Sequence, residues 1–148
     1  MFALLLVAAV LPSMILGHAV IGCGGGLPQP TSLVIVGCDA SPCHVNQGQS
    51  VTYTVGFNPT AASAGMTLAI SSTVFGETRE IPLPPALANA CNTMTPSCPV
   101  AAGQPVTQTA TIPVSTEYHD GIPAQLRVTM TNAQGAINTC NLINLVIH

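Results

Sequence analysis

The sequence predicts an all-β fold, an antiparallel sandwich of two sheets, and three observations carry that prediction. Short runs alternate apolar with polar residues at a period of two. Clusters of turn-forming residues separate these runs, and no stretch shows a sustained apolar stripe of helical period between caps. Short strands joined by turns make a sandwich rather than a parallel sheet with crossover helices.

Taken in chain order, residues 1–17 (MFALLLVAAVLPSMILG) carry no charged side chain and consist mainly of Leu, Val, Ala and Ile. A helix that spans a bilayer needs about 20 apolar residues, and Pro12 and Ser13 interrupt this run. A secretory signal peptide fits it, with Gly17 and Ala19 each offering a small residue for cleavage. The expectation is therefore a signal peptide over 1–19, cut after Gly17 or Ala19, and a single domain over 20–148.

Within that domain, SVTYTVGF puts Val51, Tyr53, Val55 and Phe57 on one face and Thr52 and Thr54 on the other. MTLAISSTV aligns Met66, Leu68, Ile70 and Val74. In VTQTATIPV the apolar set is Val106, Ala110, Ile112 and Val114, opposite Thr107, Thr109 and Thr111. AQLRVTMT sets Leu126, Val128 and Met130 against Arg127, Thr129 and Thr131, and NLINLVI ends the chain with Ile143, Leu145 and Ile147 together. Each pattern is that of a strand with one face buried. Between them stand FNPTAASAG, LPPALANAC, TPSCPVAAGQP, YHDGIP and TNAQG, rich in Pro, Gly, Asn and Ser.

Charge narrows the function. Only 5% of residues are charged, against about 25% in an ordinary soluble domain. The cations are Arg79 and Arg127, with no lysine, against Asp39, Glu77, Glu80, Glu117 and Asp120. Nucleic-acid binding needs a basic footprint that this chain lacks. Water must be met by Thr, Ser, Asn and Gln instead.

Six cysteines, at 23, 38, 43, 91, 98 and 140, all follow the apolar leader. An even number in a small secreted chain reads as three disulfides. A zinc site at Cys38 and Cys43 is the competing reading, but it needs four grouped ligands, and beyond His44 the histidines at 18, 119 and 148 show no ligand spacing. GCGGG at 22–26 follows no strand and opens no helix, so it is not a phosphate loop. Glu117, Tyr118, His119 and Asp120 read as a solvated turn. No nucleophile elbow or framed pair of carboxylates appears, and the chain is expected to be neither an enzyme nor dependent on a cofactor.

One set of motifs resembles a known family. The segment Cys-x4-Cys-x-Val-x-x-Gly-Gln-Ser (38–50) leads into an alternating strand; IPLP (81–84) precedes a cysteine loop (91–98) that runs into Pro99 and Val100. PVSTEY (113–118) follows, and Cys140 stands in the last strand. In this order the motifs are similar to those of the MD-2-related lipid-recognition (ML) family, which includes a small lysosomal sterol-transfer protein and the mite group-two allergens. The resemblance implies an immunoglobulin-like sandwich whose sheets part to hold a lipid in an apolar cavity. It also implies the pairing Cys23–Cys140, Cys38–Cys43 and Cys91–Cys98, with Cys38–Cys43 pinning the turn that enters the strand at Val51.

Carried over residue by residue, the pocket mouth falls on Ile81, Val114 and Tyr118, with Ile81 standing where the sterol carriers have an aromatic side chain. The inward Phe57, Leu68, Ile70 and Val128 are expected to contact lipid, in a cavity smooth and free of polar hooks. The implied function is carriage of a sterol or similar apolar lipid, secreted or in the endosomal and lysosomal lumen, with a membrane or membrane protein as transient acceptor. The alternative is an innate-immune adaptor or allergen-like protein that binds fatty acid or microbial lipid.

Overall fold

The computed structural model describes residues 18–117 and 119–148; the proposed leader 1–17 and Tyr118 lie outside the described residues. Ten strands form: β1 Ile21–Gly22, β2 Ser32–Ile35, β3 Cys43–Val45, β4 Ser50–Phe57, β5 Met66–Val74, β6 Glu77–Glu80, β7 Met94–Thr95, β8 Val106–Pro113, β9 Ile122–Asn132 and β10 Ile137–Ile147. A single helical turn, α1 (Pro85–Ala88), and a 3-10 turn (Ala90–Thr93) precede β7. One sheet has the order β1-β10-β9-β5-β6, with β3 also on the edge of β10, and the other has β2-β4-β8-β7. The β3–β10 ladder is parallel and the other ladders between named strands are antiparallel.

The alternating runs become the five long strands, each burying the face that its periodicity assigns. Val51, Tyr53, Val55 and Phe57 of β4 face Leu68, Ile70, Leu126, Val128, Met130 and Ile143 across one continuous core. The outward faces carry hydroxyls. On β4 and β8, Thr52 pairs with Thr111 at 2.9 Å and Thr54 with Thr109 at 2.8 Å, oxygen to oxygen.

The inner faces are less uniformly apolar than the sequence suggests. Gln108 is fully buried and donates to Thr93 Oγ1 at 3.0 Å. Thr139 and Asn141 point inward from β10, and neither side chain meets a protein partner among the described residues. Alternation was read from the apolar positions, and these polar residues sit on the same parity. Burial holds the Tyr53 phenol's pKa well above its ordinary value, with Gln108 partly offsetting the rise.

Polar side chains close one end of the sandwich. Asn138 Oδ1 accepts from the Thr60 N–H at 2.8 Å, and Asn132 Oδ1 accepts from the Gln134 and Ala136 N–H groups. Ser63 Oγ accepts from the Ala133 N–H at 3.0 Å and donates to the Gly65 carbonyl. At the opposite end, β5 and β6 join through Phe75 and Gly76, at φ 51° and 77°. Two successive positive-φ residues make a tight hairpin turn of a kind that favours Asn, Asp or Gly. A bulky residue in that conformation is an outlier that costs about 1–2 kcal/mol.

Three disulfides join Cys23 to Cys140, Cys38 to Cys43 and Cys91 to Cys98, the pairing that the resemblance implies. Cys38–Cys43 fixes the start of β3 on the six-stranded sheet, one short strand before the turn that enters β4. Cys23 and Cys140 lie 117 residues apart, so their bridge removes about 4–5 kcal/mol worth of unfolded-chain entropy. The seven-residue separation of Cys91 and Cys98 is worth about 2–3 kcal/mol on the same basis. Denaturant unfolding of the two Cys→Ser pairs should therefore show the larger loss for Cys23 and Cys140. Equal losses would mean that chain entropy is not what the long bridge supplies.

The Tyr53 shift sets an alkaline limit. A phenol whose folded pKa is raised contributes its full stability below the ordinary value near 10 and loses it as pH climbs, because the unfolded chain releases the proton first. The melting temperature of the native chain should fall more steeply above that pH than that of Tyr53→Phe. Parallel curves would show that the buried phenol has no part in it.

Candidate functional site

At the end opposite the polar closure the sheets stand apart over a cavity of about 230 Å³. Its walls are the buried Val51 (β4) and Ile112 (β8) on one side and Ala124, Leu126 (β9), Leu145 and Ile147 (β10) on the other. Register brings these six together. Val51 pairs with Ile112, Ala124 with Leu145, and Leu126 lies between Ser72 and Ile143 in adjacent ladders. Ile81, Pro82, Pro113 and Val114 form an apolar rim, and the polar rim residues are Ser72, Arg79, Glu80, Ser115 and Glu117.

The backbone fixes the rim. The Ile81 N–H donates to the Ile70 carbonyl at 2.9 Å, docking the IPLP segment on β5. The Val114 N–H donates to the Gln49 carbonyl at 2.7 Å, and the Gly48 N–H donates to the Val114 carbonyl at 3.1 Å. The Gly-Gln-Ser motif thus pins Val114 beside the opening, and the positive φ of Gly48 is what bends the chain to do so.

The cavity is smaller than the roughly 300–1,000 Å³ usual for pockets that hold a drug-sized ligand. It exceeds the engineered apolar cavity of about 150 Å³ that takes benzene. At this size it admits a short apolar body, and a whole sterol or acyl chain needs the sheets to move further apart. Over the cavity the sheets meet through side chains rather than a shared ladder, so widening sacrifices dispersion contacts and no strand pairing.

Of the expected site residues, Ile81 and Val114 line the opening. Tyr118 is outside the described residues. Phe57, Leu68, Ile70 and Val128 are buried in the filled part of the core and do not line this cavity. Sequence reasoning did not single out Leu126, Leu145 and Ile147 as cavity residues. Alternation marked them as inward, but periodicity does not show which end of a sandwich opens.

The histidines regroup in the fold. Parallel pairing of β3 with β10 places His44 Nδ1 2.7 Å from His148 Nε2, and His148 Nδ1 lies 2.8 Å from Asp120 Oδ1. The two ring centroids are 5.0 Å apart with planes 18° from parallel, so at that nitrogen separation the rings lie edge to edge and share an in-plane hydrogen bond. Asp120 of the expected turn is therefore tied to the end of β10. His18 is buried with Nε2 3.6 Å from Cys43 Sγ, and His18, Cys38 and Cys43 would be close enough to share an ion. Both sulfurs are committed to each other in a disulfide, which leaves no thiolate for a metal.

The ML domain family model matches residues 19–147. Among solved structures, a Niemann-Pick type C2 protein from Japanese carpenter ant superposes with a TM-score of 0.73 at 15% identity, covering 88% of this chain and 99% of that one. Chicken MD-1 complexed with lipid IVa gives a TM-score of 0.45 at 10% identity, covering 76% of this chain and 79% of that one. No curated protein matches the sequence significantly. The family match runs from before β1 to the last residue of β10, through every disulfide and both rim segments, and the chain belongs to the ML family.

Proposed function

We propose that this chain is a non-enzymatic carrier that holds one sterol or similar apolar lipid between its sheets. The observation that carries this reading is the cavity itself: six buried aliphatic side chains drawn from both sheets converge behind an opening rimmed by Ile81 and Val114. Charged rim residues can meet a polar headgroup while the apolar body sits behind them. Burying about 400 Å² of apolar ligand surface is worth roughly 10 kcal/mol gross. Association takes back several kcal/mol of that, and the remainder is enough to part the sheets. Three disulfides support a secreted or endolysosomal setting, since such bridges persist in oxidising compartments.

Mass spectrometry of lipid extracted from protein purified from its natural source tests the reading. Sterol or fatty acid at near one per chain is the expected result. A phosphorylated glycolipid would favour the immune-adaptor alternative, and protein free of lipid that turns over a substrate would overturn both.

The rim can be tested separately. Val114→Phe should block uptake of a fluorescent sterol with little change in melting temperature, because the new ring occupies space that is already open. In a filled core the same enlargement would cost about 1–3 kcal/mol. Destabilisation without a selective loss of uptake would refute the cavity as the binding site.

A further inference from the structure

Among the described residues, the large apolar side chains that stand exposed are Val34, Val36 and Phe75. Phe75 is 80% exposed at the tip of the β5–β6 hairpin, in the left-handed conformation described above. The domain places one of its few aromatic rings in water and holds it there on a backbone that Asn or Gly would adopt without strain. Strain of this kind persists at functional sites, and an observed outlier is a proper starting point for a functional inference.

The hairpin tip adjoins the opening. Ser72, Arg79 and Glu117 line the cavity and also border the hollow beside Phe75. Val36, 72% exposed, donates its N–H to the Thr52 carbonyl, next to Val51 of the cavity wall. One exposed apolar side chain from each sheet therefore stands at the end where the cavity opens. We propose that Phe75, assisted by Val36, inserts into the surface of a neutral lipid bilayer and seats the cavity mouth on it. The inference names the acceptor for the carrier reading and rests on that reading for its purpose.

Two observations select a neutral bilayer. A stable protein interface buries about 1,200–2,000 Å² around a packed apolar centre, and single side chains on separate sheets do not build one. A bilayer needs only an apolar wedge. The charges also exclude an anionic surface as the attractor. Ladder parity puts Arg79, paired with Ser72, on the cavity side of the sheet and Arg127, paired with Ser71, on the outer side, so they form no common patch. Arg79 is moreover bonded to Glu77 at 3.1 Å, with Glu117 also at the rim.

Phe75→Asn tests this without endangering the fold, since Asn suits the turn better than Phe. The variant should melt at the same temperature or higher, yet sediment with neutral phosphatidylcholine vesicles about tenfold more weakly than the native chain. Its uptake of dehydroergosterol or cis-parinaric acid from solution should be unchanged, Phe75→Trp should bind vesicles at least as well as the native chain, and salt should alter none of this. Undiminished vesicle binding by Phe75→Asn would overturn the proposal. So would a loss of probe uptake, which would place Phe75 in the cavity, or a loss of self-association instead of vesicle binding, which would make a second copy the partner. A native chain that binds vesicles through Phe75 but takes up neither probe would refute the carrier reading and leave the docking surface standing.

Discussion

The β9–β10 ladder is the interaction on which the rest of the structure depends. Its register carries ten paired positions and continues on one side to β5 and on the other to β1 and β3. On its inner face it supplies four of the six cavity walls; on its outer face Cys140 takes the bridge from Cys23. A one-residue slip would exchange those faces, turning Leu126, Leu145 and Ile147 to water and Arg127 into the core. The buried apolar set on both strands is what forbids that slip.

The two ends of the sandwich are built from opposite chemistry. One is sewn shut by Asn132, Asn138 and Ser63, whose side chains hold loop backbone that would otherwise lie buried without partners. The other is lined by aliphatic side chains that offer no directional bond to keep the sheets together. Hydrogen bonds have a preferred distance and fail when stretched, whereas apolar contact is non-directional and can be re-made with a guest. A wedge that widens at the apolar end and hinges at the polar one follows from this division of side chains.

Much of this was legible in the sequence, and the limits have physical causes. The five long strands announced themselves because each buries one face, which forces a period of two. β1, β3, β6 and β7 did not, since strands of two to four residues hold through a neighbour's ladder and show no period of their own. Ile81 and Val114 were found through resemblance to a family rather than through pattern. Phe57, Leu68, Ile70 and Val128 read the same as Leu126, Leu145 and Ile147 in sequence, because alternation reports which side faces inward and not how far apart the sheets stand there. The meeting of His44 with His148 was equally hidden, as it depends on a parallel pairing across 104 residues.

The threonine pairs on β4 and β8 have a wider consequence. Hydroxyl groups neither ionise in the physiological range nor attract counterions, so a surface hydrated through them presents the same face to solvent in blood-like saline, in dilute fluid or in an acidified vesicle. Most proteins remain dispersed through mutual charge repulsion, which changes with every such transfer. Here hydration is built into the cross-strand geometry, each hydroxyl held by its neighbour at 2.8–2.9 Å, and the outer coat of the molecule is indifferent to the medium through which it travels.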